Sequence, residues 1–349
     1  MTYTIEKLIP SVNEIIKKYP INSKEKNQIK KDREEIENII EGKDKRKLLI
    51  IGPCSAWPNK AVIEYAKEIK KINNKYSDKI KIIIRVYTQK PRTNLGWTGP
   101  ANQANPFEKA DIEEGIIYCR KMMIDIIKLG LPIADEALFT HKEGYFSDLL
   151  SWIAIGARSA EDQEHRIYAS MINHPVGLKN PSSGNLNIAI NSVIAAQNSH
   201  VFLLNGKQIK SSGNKHAHLV LRGGNGQSNI YLDNLLETEK KLNENNIQFP
   251  STIIDASHDN SIDPNTGKKN PLKQPEVINR VLLHMKENPN LNKNIKGFMV
   301  ESFIKTGNQN INNFKNINEL DLNGLSITDA CIGIEETKKL IENIHLNLP

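Results

Sequence analysis

Eight apolar runs, each the length of a buried strand, end along this chain in a residue that can hold charge, bind metal or move a proton. Leu48-Leu49-Ile50-Ile51 leads into Gly52-Pro53-Cys54-Ser55, Ile82-Ile83-Ile84 into Arg85, and Leu131-Pro132-Ile133-Ala134 into Asp135-Glu136. Trp152-Ile153-Ala154-Ile155 leads into Gly156-Ala157-Arg158, Pro175-Val176-Gly177-Leu178 into Lys179, and Leu219-Val220-Leu221 into Arg222-Gly223-Gly224. Ile253-Ile254 leads into Asp255-Ala256-Ser257-His258, and Gly297-Phe298-Met299-Val300 into Glu301-Ser302. Helical patterns separate these runs. Ala61 to Ile72 places Ala66, Ile69 and Ile72 on one face, and Ile112 to Leu129 ends at the stop signal Gly130. Ser159 to Met171, Ile188 to Gln197, Leu232 to Asn243, Pro275 to Lys286 and Ile334 to Ile344 follow the same rule. Strands alternating with helices make a parallel sheet, and eight such units are the count of a (β/α)8 TIM barrel. In that fold the reactive side chains gather where the strands end.

Two segments fall outside the repeating pattern. Residues 1–46 carry Ile15, Ile16, Ile36, Ile39 and Ile40 among Lys and Glu at helical spacing, which predicts an N-terminal helical extension before a catalytic barrel over 47–349. Such an arm closes the barrel bottom or packs on another subunit. Between strands 5 and 6, Val201-Phe202-Leu203-Leu204 and Lys207-Gln208-Ile209-Lys210 flank Asn205-Gly206, the strongest short hairpin signal, so an extra β-hairpin is predicted there.

Composition narrows the class. The chain has 349 residues, 38% hydrophobic and 25% charged, which is ordinary for a soluble globular protein. No apolar stretch approaches the roughly 20 residues needed to cross a bilayer. Cys54, Cys119 and Cys331 are too few and too scattered for a disulfide framework, so a reducing cytoplasm is expected. The formal charge of +7 reads as a lysine-rich surface. With aromatics at 6% and basic residues mixed among acids, no nucleic-acid partner is expected.

The cations at the strand ends are a separate matter. Arg85, Lys90, Arg92, Arg158, Lys179 and Arg222 would share one rim, and buried unpaired charge costs several kcal/mol per group. Strand-end acids are fewer (Asp135, Glu136, Asp255 and Glu301), so the rim is expected to take a small anion. Arg offers forked contacts to phosphate or carboxylate, while Lys acts as a point charge. Lys90-Pro91-Arg92-Thr93 lies on the loop after strand 2, where Pro91 stiffens the backbone and the two cations can face different anionic groups. Like-charge repulsion is expected to lower the Lys90 pKa.

A second group points to metal. In a closed barrel strands 7, 8 and 1 are neighbours, so Cys54, His258 and Glu301 can converge, and Asp329 after the last strand can supply a fourth ligand. One thiolate, one imidazole and two carboxylates suit a single divalent ion such as Mn, Fe, Co or Zn. Each residue has a plainer reading alone: Cys54 as a small buried hydrophobe, His258 as a turn residue, Asp329 as a helix N-cap. Only adjacency in a barrel joins them.

These residues resemble those of type I 3-deoxy-D-arabino-heptulosonate 7-phosphate (DAHP) synthase. The motifs are Gly52-Pro53-Cys54-Ser55, Arg85-Val86-Tyr87, Lys90-Pro91-Arg92-Thr93, Ile155-Gly156-Ala157-Arg158 and Pro175-Val176-Gly177-Leu178-Lys179-Asn180. They continue with Leu221-Arg222-Gly223-Gly224, Ser257-His258, Val300-Glu301-Ser302 and Ser326-Ile327-Thr328-Asp329-Ala330-Cys331-Ile332-Gly333. The resemblance runs from about residue 8 to the C-terminus. It implies condensation of phosphoenolpyruvate with erythrose 4-phosphate to DAHP and phosphate, the first step of the shikimate pathway. It implies metal ligation by Cys54, His258, Glu301 and Asp329. It implies phosphoenolpyruvate contacts from Arg85, Lys90, Arg158, Lys179 and Arg222. Erythrose 4-phosphate contacts are implied for Lys90, Pro91, Arg92, Thr93 and Asp329. Lys90, Glu136 and His258 are the candidates to handle protons, and the sequence does not rank them. Family members are dimers or tetramers, so a homodimer or homotetramer is expected.

The chain departs from that pattern in places. Pro181-Ser182-Ser183-Gly184 replaces a more usual Gly-Thr-Asp-Gly run, and the hairpin at Asn205-Gly206 is shorter than in feedback-inhibited relatives. Leu204, Met171 and Asn173 are also atypical around the effector pocket, so little response to aromatic amino acids is expected. Two rival functions stand beside this reading. One is another phosphoenolpyruvate-dependent sugar-acid synthase, against which Lys90-Pro91-Arg92-Thr93 argues. The other is a non-catalytic barrel that binds a phosphorylated ligand, which a missing ligand or cation would favour; none is missing.

Overall fold

The computed structural model describes residues 2–92, 95–138 and 144–349. Thr93 and His141 lie outside the described residues. Two helices, α1 (Val12–Lys18) and α2 (Ser23–Glu41), precede the first strand. Then follow β1 (Lys47–Gly52), α3 (Asn59–Tyr76), β2 (Ile80–Arg85), α4 (Ile112–Lys128), β3 (Ile133–Glu136), β4 (Trp152–Ile155), α5 (Gln163–Met171), β5 (Val176–Lys179) and α6 (Leu186–Gln197). The hairpin strands β6 (Val201–Leu204) and β7 (Lys207–Lys210) come next, then β8 (Ala217–Leu221), α7 (Leu232–Glu244) and β9 (Thr252–Asp255). The chain ends through β10 (Ile262–Asp263), β11 (Lys268–Lys269), α8 (Gln274–Glu287), α9 (Pro289–Asn294), β12 (Ile295–Glu301) and α10 (Ile334–Asn347). Eight parallel strands close a barrel in the order β1-β12-β9-β8-β5-β4-β3-β2. The fold is therefore the (β/α)8 barrel that the eight strand-end runs predict.

Alternation along each strand builds two apolar layers, because successive side chains point to opposite faces. Leu49 and Ile51 face outward into a core shared with the helices, together with Ile82, Ile84, Ile153 and Ile155. Leu48, Ile50, Ile83, Trp152, Val220 and Met299 fill the barrel interior. Trp152 fits there because β5 has Gly177 beside it; a Cβ at that position would lie 2.2 Å from the indole ring. The interior layer also contains Ile36, Ile39 and Ile40 of α2, so this helix plugs the end of the barrel where the strands begin. A capping box of Asn22 and Glu25 starts α2, and Gly42 ends it in the left-handed conformation at φ 81°.

The predicted hairpin is present, with Asn205 and Gly206 both at positive φ, as a two-residue turn of this kind requires. Three features differ from the sequence reading. Helix α5 begins after Asp162, which caps it by accepting from the His165 amide, so Ser159 lies in the preceding turn. The β10–β11 hairpin and α9 are additional; each is too short to show a period. No helix among the described residues is long and apolar enough to cross a membrane.

Two buried histidines are held neutral. Burial pushes His218 down to about 4, and burial with the nearby Arg33 charge does the same to His174. The His218 ring is paired as a neutral imidazole, with Nε2 accepting from Trp152 Nε1 at 3.2 Å and Nδ1 2.8 Å from the His216 carbonyl. Because the folded-state values lie below the unfolded value of about 6.5, stability is full above that pH and falls as pH drops toward about 4. Each group is expected to contribute up to about 3 kcal/mol to the loss. Denaturant titrations across this range should show a shallower decline for His218→Gln; an unchanged slope would contradict a buried neutral ring.

Candidate active site

The cleft where the strands end has a volume of about 220 Å³ and is lined by Cys54, Arg85, Lys90, Pro91, Arg92, Glu136, Arg158, Lys179, Arg222, His258 and Asp329, among others. Every described candidate except Glu301 lines this space. Glu301 sits just beneath it, 1% exposed, as the last residue of β12.

The barrel register explains the convergence. Gly52 pairs with Glu301 across β1 and β12, and Met299 pairs with Asp255 across β12 and β9. Cys54 follows Gly52 by two residues, and Asp329 approaches from the loop before α10. The Cys54 sulfur and one carboxylate oxygen each from Glu301 and Asp329 lie within 4.8 Å of one another. Ser55 Oγ lies 2.9 Å from Thr328 Oγ1, tying the end of β1 to the Asp329 loop. The His258 ring lies in the same cleft outside this group of three, with Nδ1 3.0 Å from Asp255 Oδ2. Its backbone sits at φ 56°, a sparsely populated region for a residue other than glycine.

The acids that balance the rim are more numerous than the sequence reading counted. Arg85 pairs with Glu301 at 3.2 Å, Lys179 with Asp255 at 3.0 Å and Arg222 with Asp259 at 3.3 Å. Asp259 was not among the four acids expected, because it lies past the strand rather than at its end. The rim is thus not a set of bare cations. Donors nevertheless remain: Nε and Nη1 of Arg85 and Nε of Arg222 are buried with no hydrogen-bond partner among the described residues. A buried N–H without an acceptor is costly, so an anionic ligand satisfies what the protein leaves open.

Lys90 corrects another expectation. Its ammonium donates to the Cys54 carbonyl at 2.9 Å and lies 3.1 Å from the Cys54 sulfur. Burial alone would lower its pKa, but the Cys54 sulfur and the Glu301 carboxylate beside it outweigh burial and the nearby Arg85, and the net direction is upward. Lys90 is therefore an ammonium, not a depressed base. Burial would likewise raise Glu301, yet Arg85 and His258 hold it below the usual carboxylate value. Cys54 is pushed up, first by burial and then by Glu301.

Among the residues around the site, Gln274 and Lys269 had no signal in the sequence, and Gly156 and Ser257 stood there only inside motifs. Gly156 makes room for Glu136: a Cβ there would lie 2.0 Å from Glu136 Oε1. Ser257 donates to Glu301 Oε2 at 2.8 Å, and the Gln274 side chain bonds both the amide and the carbonyl of Glu301. Lys269, carried over the mouth by the β10–β11 hairpin, donates to Asp329 at 2.9 Å. Asp135 points away from the cleft. It accepts from the Thr88 amide and hydroxyl and from the Glu136 amide, and burial pushes it up to about 7. Arg92 donates through Nε to the Trp97 carbonyl at 2.7 Å.

Comparison with known proteins agrees with this geometry. A family model described as the DAHP synthetase I family matches residues 18–342. The Tyr-sensitive phospho-2-dehydro-3-deoxyheptonate aldolase of Escherichia coli is 35% identical over 99% of this chain and 94% of its own length. The phospho-2-dehydro-3-deoxyheptonate aldolase of Corynebacterium glutamicum is 34% identical over 96% of this chain and 90% of its own length. A solved structure of the enzyme of that name from Francisella tularensis superimposes with a TM-score of 0.90 at 34% identity, over 98% of this chain and 97% of that one. With the barrel, the cleft and these full-length likenesses in agreement, the chain belongs to the DAHP synthetase I family.

Proposed function

We infer that the cleft joins phosphoenolpyruvate to D-erythrose 4-phosphate, giving DAHP and inorganic phosphate, the entry step of aromatic amino acid biosynthesis. The observation that carries this reading is the meeting of two groups in one small space: unsatisfied guanidinium N–H donors and a set of Cys54, Glu301 and Asp329 ligand atoms.

Arg85, Lys90, Arg158, Lys179 and Arg222 take the phosphate and carboxylate of phosphoenolpyruvate. Holding both ends presents one face of the enol to the aldehyde, and such orientation can lower a barrier by several kcal/mol. Lys90, Pro91 and Arg92, which line the cleft with Asp329, take the sugar phosphate together with Thr93, which lies outside the described residues. Cys54, Glu301, Asp329 and His258 would hold one divalent ion. The donor set of sulfur, imidazole and carboxylates fits a borderline cation such as Mn, Fe, Co or Zn. Such an ion, when bound, would supply Lewis acidity toward an aldehyde oxygen, and it would favour the thiolate of Cys54, which burial otherwise disfavours. Water must add at the enol carbon before phosphate leaves by C–O cleavage. Glu136, Lys90 and His258 line the cleft as the groups that move protons. Lys90 enters in its ammonium form, with a proton to donate.

The exposed apolar side chains Tyr3, Ile5 and Leu8 on the N-terminal arm and Val201 and Leu203 on the hairpin support assembly into a homodimer or homotetramer. A cytoplasmic location fits three buried free thiols.

Chelation is expected to remove activity and divalent metal to restore it, and Cys54→Ala is expected to reduce turnover to background with no rescue by metal. Full turnover by that variant with metal bound would remove Cys54 as a ligand. Arg92→Ala should raise the Michaelis constant for erythrose 4-phosphate about tenfold to a hundredfold, the worth of a lost charge-assisted hydrogen bond, and leave that for phosphoenolpyruvate nearly unchanged. An unaltered constant for the sugar would contradict the role given to Arg92. Steady-state assays with phenylalanine, tyrosine and tryptophan should show little inhibition at millimolar concentration; strong inhibition by any of them would overturn the reading of the short hairpin.

A further inference from the structure

The barrel has a second charged cavity at the opposite end. It has a volume of about 600 Å³ and is lined by Lys45, Arg46, Lys47, Lys79, Lys293 and Lys296, with Asp44, Asp78 and Pro349 among the other lining residues. Both acids are already engaged. Asp44 accepts from Arg46, which also reaches Glu35, and Asp78 lies 3.0 Å from the His345 ring. Lys47 opens β1 and donates to the carbonyls of Asn292 and Ile295, which leaves its charge without a carboxylate. Lys296, at the start of β12, is only 7% exposed. Its ammonium lies over Gly42, where a Cβ would stand 3.5 Å away, and among the described residues it has no hydrogen-bond or ion-pair partner. Lys293 and Lys45 stand exposed at the rim, also with no carboxylate partner among the described residues.

Lysines that crowd one another around a cavity repel, which disfavours their charged forms until an anion balances them. Burial lowers Lys47 to about 7 with help from the Lys296 charge, and lowers Lys296 to about 8 with help from Lys293. Lys47 is held by two backbone carbonyls, whereas Lys296 faces the open volume with no partner among the described residues. No aromatic side chain lines it, so a nucleobase has no stacking surface. Four or more ammonium groups around a compact space suit a small ion of high charge.

We propose that this cavity binds a compact phosphate-bearing anion of at least two negative charges, on the face of the barrel opposite the catalytic mouth. Lys296 is the inner contact, Lys47 shares the charge from β1, and Lys45 and Lys293 close the rim. The anion bridges the end of α2, the first residue of β1 and the second residue of β12, and so fastens the plug helix to the barrel.

Calorimetric titration of the intact protein with pyrophosphate tests this. Binding should persist in Arg222→Met, which weakens the catalytic mouth, and fall at least roughly tenfold in Lys296→Met, as loss of a charge-assisted contact implies. The double variant Lys45→Gln, Lys293→Gln changes only exposed side chains, so it should fold normally, keep its turnover and still bind pyrophosphate several-fold more weakly. No binding of pyrophosphate overturns the proposal. So does binding that is lost in Arg222→Met but unchanged in the variants of Lys296, Lys45 and Lys293.

Discussion

Arg85 and Glu301 end two strands separated only by β1, lie 3.2 Å apart, and are each 1% exposed. Most of what is arranged at the mouth leans on this contact. Two charges out of water are tolerated only when the geometry is good and the remaining polar atoms find partners. Glu301 is supplied with them by Ser257, by Gln274 and by the register that sets it across from Gly52. With Glu301 fixed, Oε1 faces Arg85, Oε2 accepts from Ser257, and one of the two lies within 4.8 Å of the Cys54 sulfur and an Asp329 oxygen. Removal of either partner would leave a buried charge unbalanced, at a cost of about 3–5 kcal/mol. The pair is better understood as a device that aims the site than as a source of stability. Lys179–Asp255 repeats the same arrangement on the other side of the barrel.

Much of the fold was legible because the relevant signals are local and repeated. Each strand is a short apolar run, each helix shows its stripe, and the count of eight selects a closed sheet. The Asn205-Gly206 turn could be placed for the same reason: two residues at positive φ specify a hairpin. The end of α2 at Gly42 and the start of α5 at Asp162 are set by caps, and the second was misplaced because Ser159 offers a similar signal three residues earlier. The β10–β11 hairpin left no trace, since strands of two residues have no period.

At the site, the convergence of the strand-end residues on one cleft was legible and their pairing was not. The barrel brings Cys54, Glu301 and Asp329 together, as adjacency of the first and last strands requires. The charge balance depended on Asp259, which follows His258 in sequence but reaches back to Arg222 through a turn that no pattern reveals. The pKa of Lys90 was misjudged for a related reason. Counting cations along the chain suggested repulsion, whereas in space its nearest neighbours are the Cys54 sulfur and the acids beyond it. Gly156 likewise has meaning only once Glu136 is seen against it.

The central claim is that Cys54 belongs to a metal site at the mouth of the barrel. Loading the protein with Co(II) and recording its absorption spectrum tests it directly, without reference to turnover. A thiolate ligand gives an intense sulfur-to-cobalt band in the near ultraviolet, and that band should disappear in Cys54→Ser while Co(II) still binds through the carboxylates. A spectrum with no such band, or one unchanged by the substitution, would contradict the account.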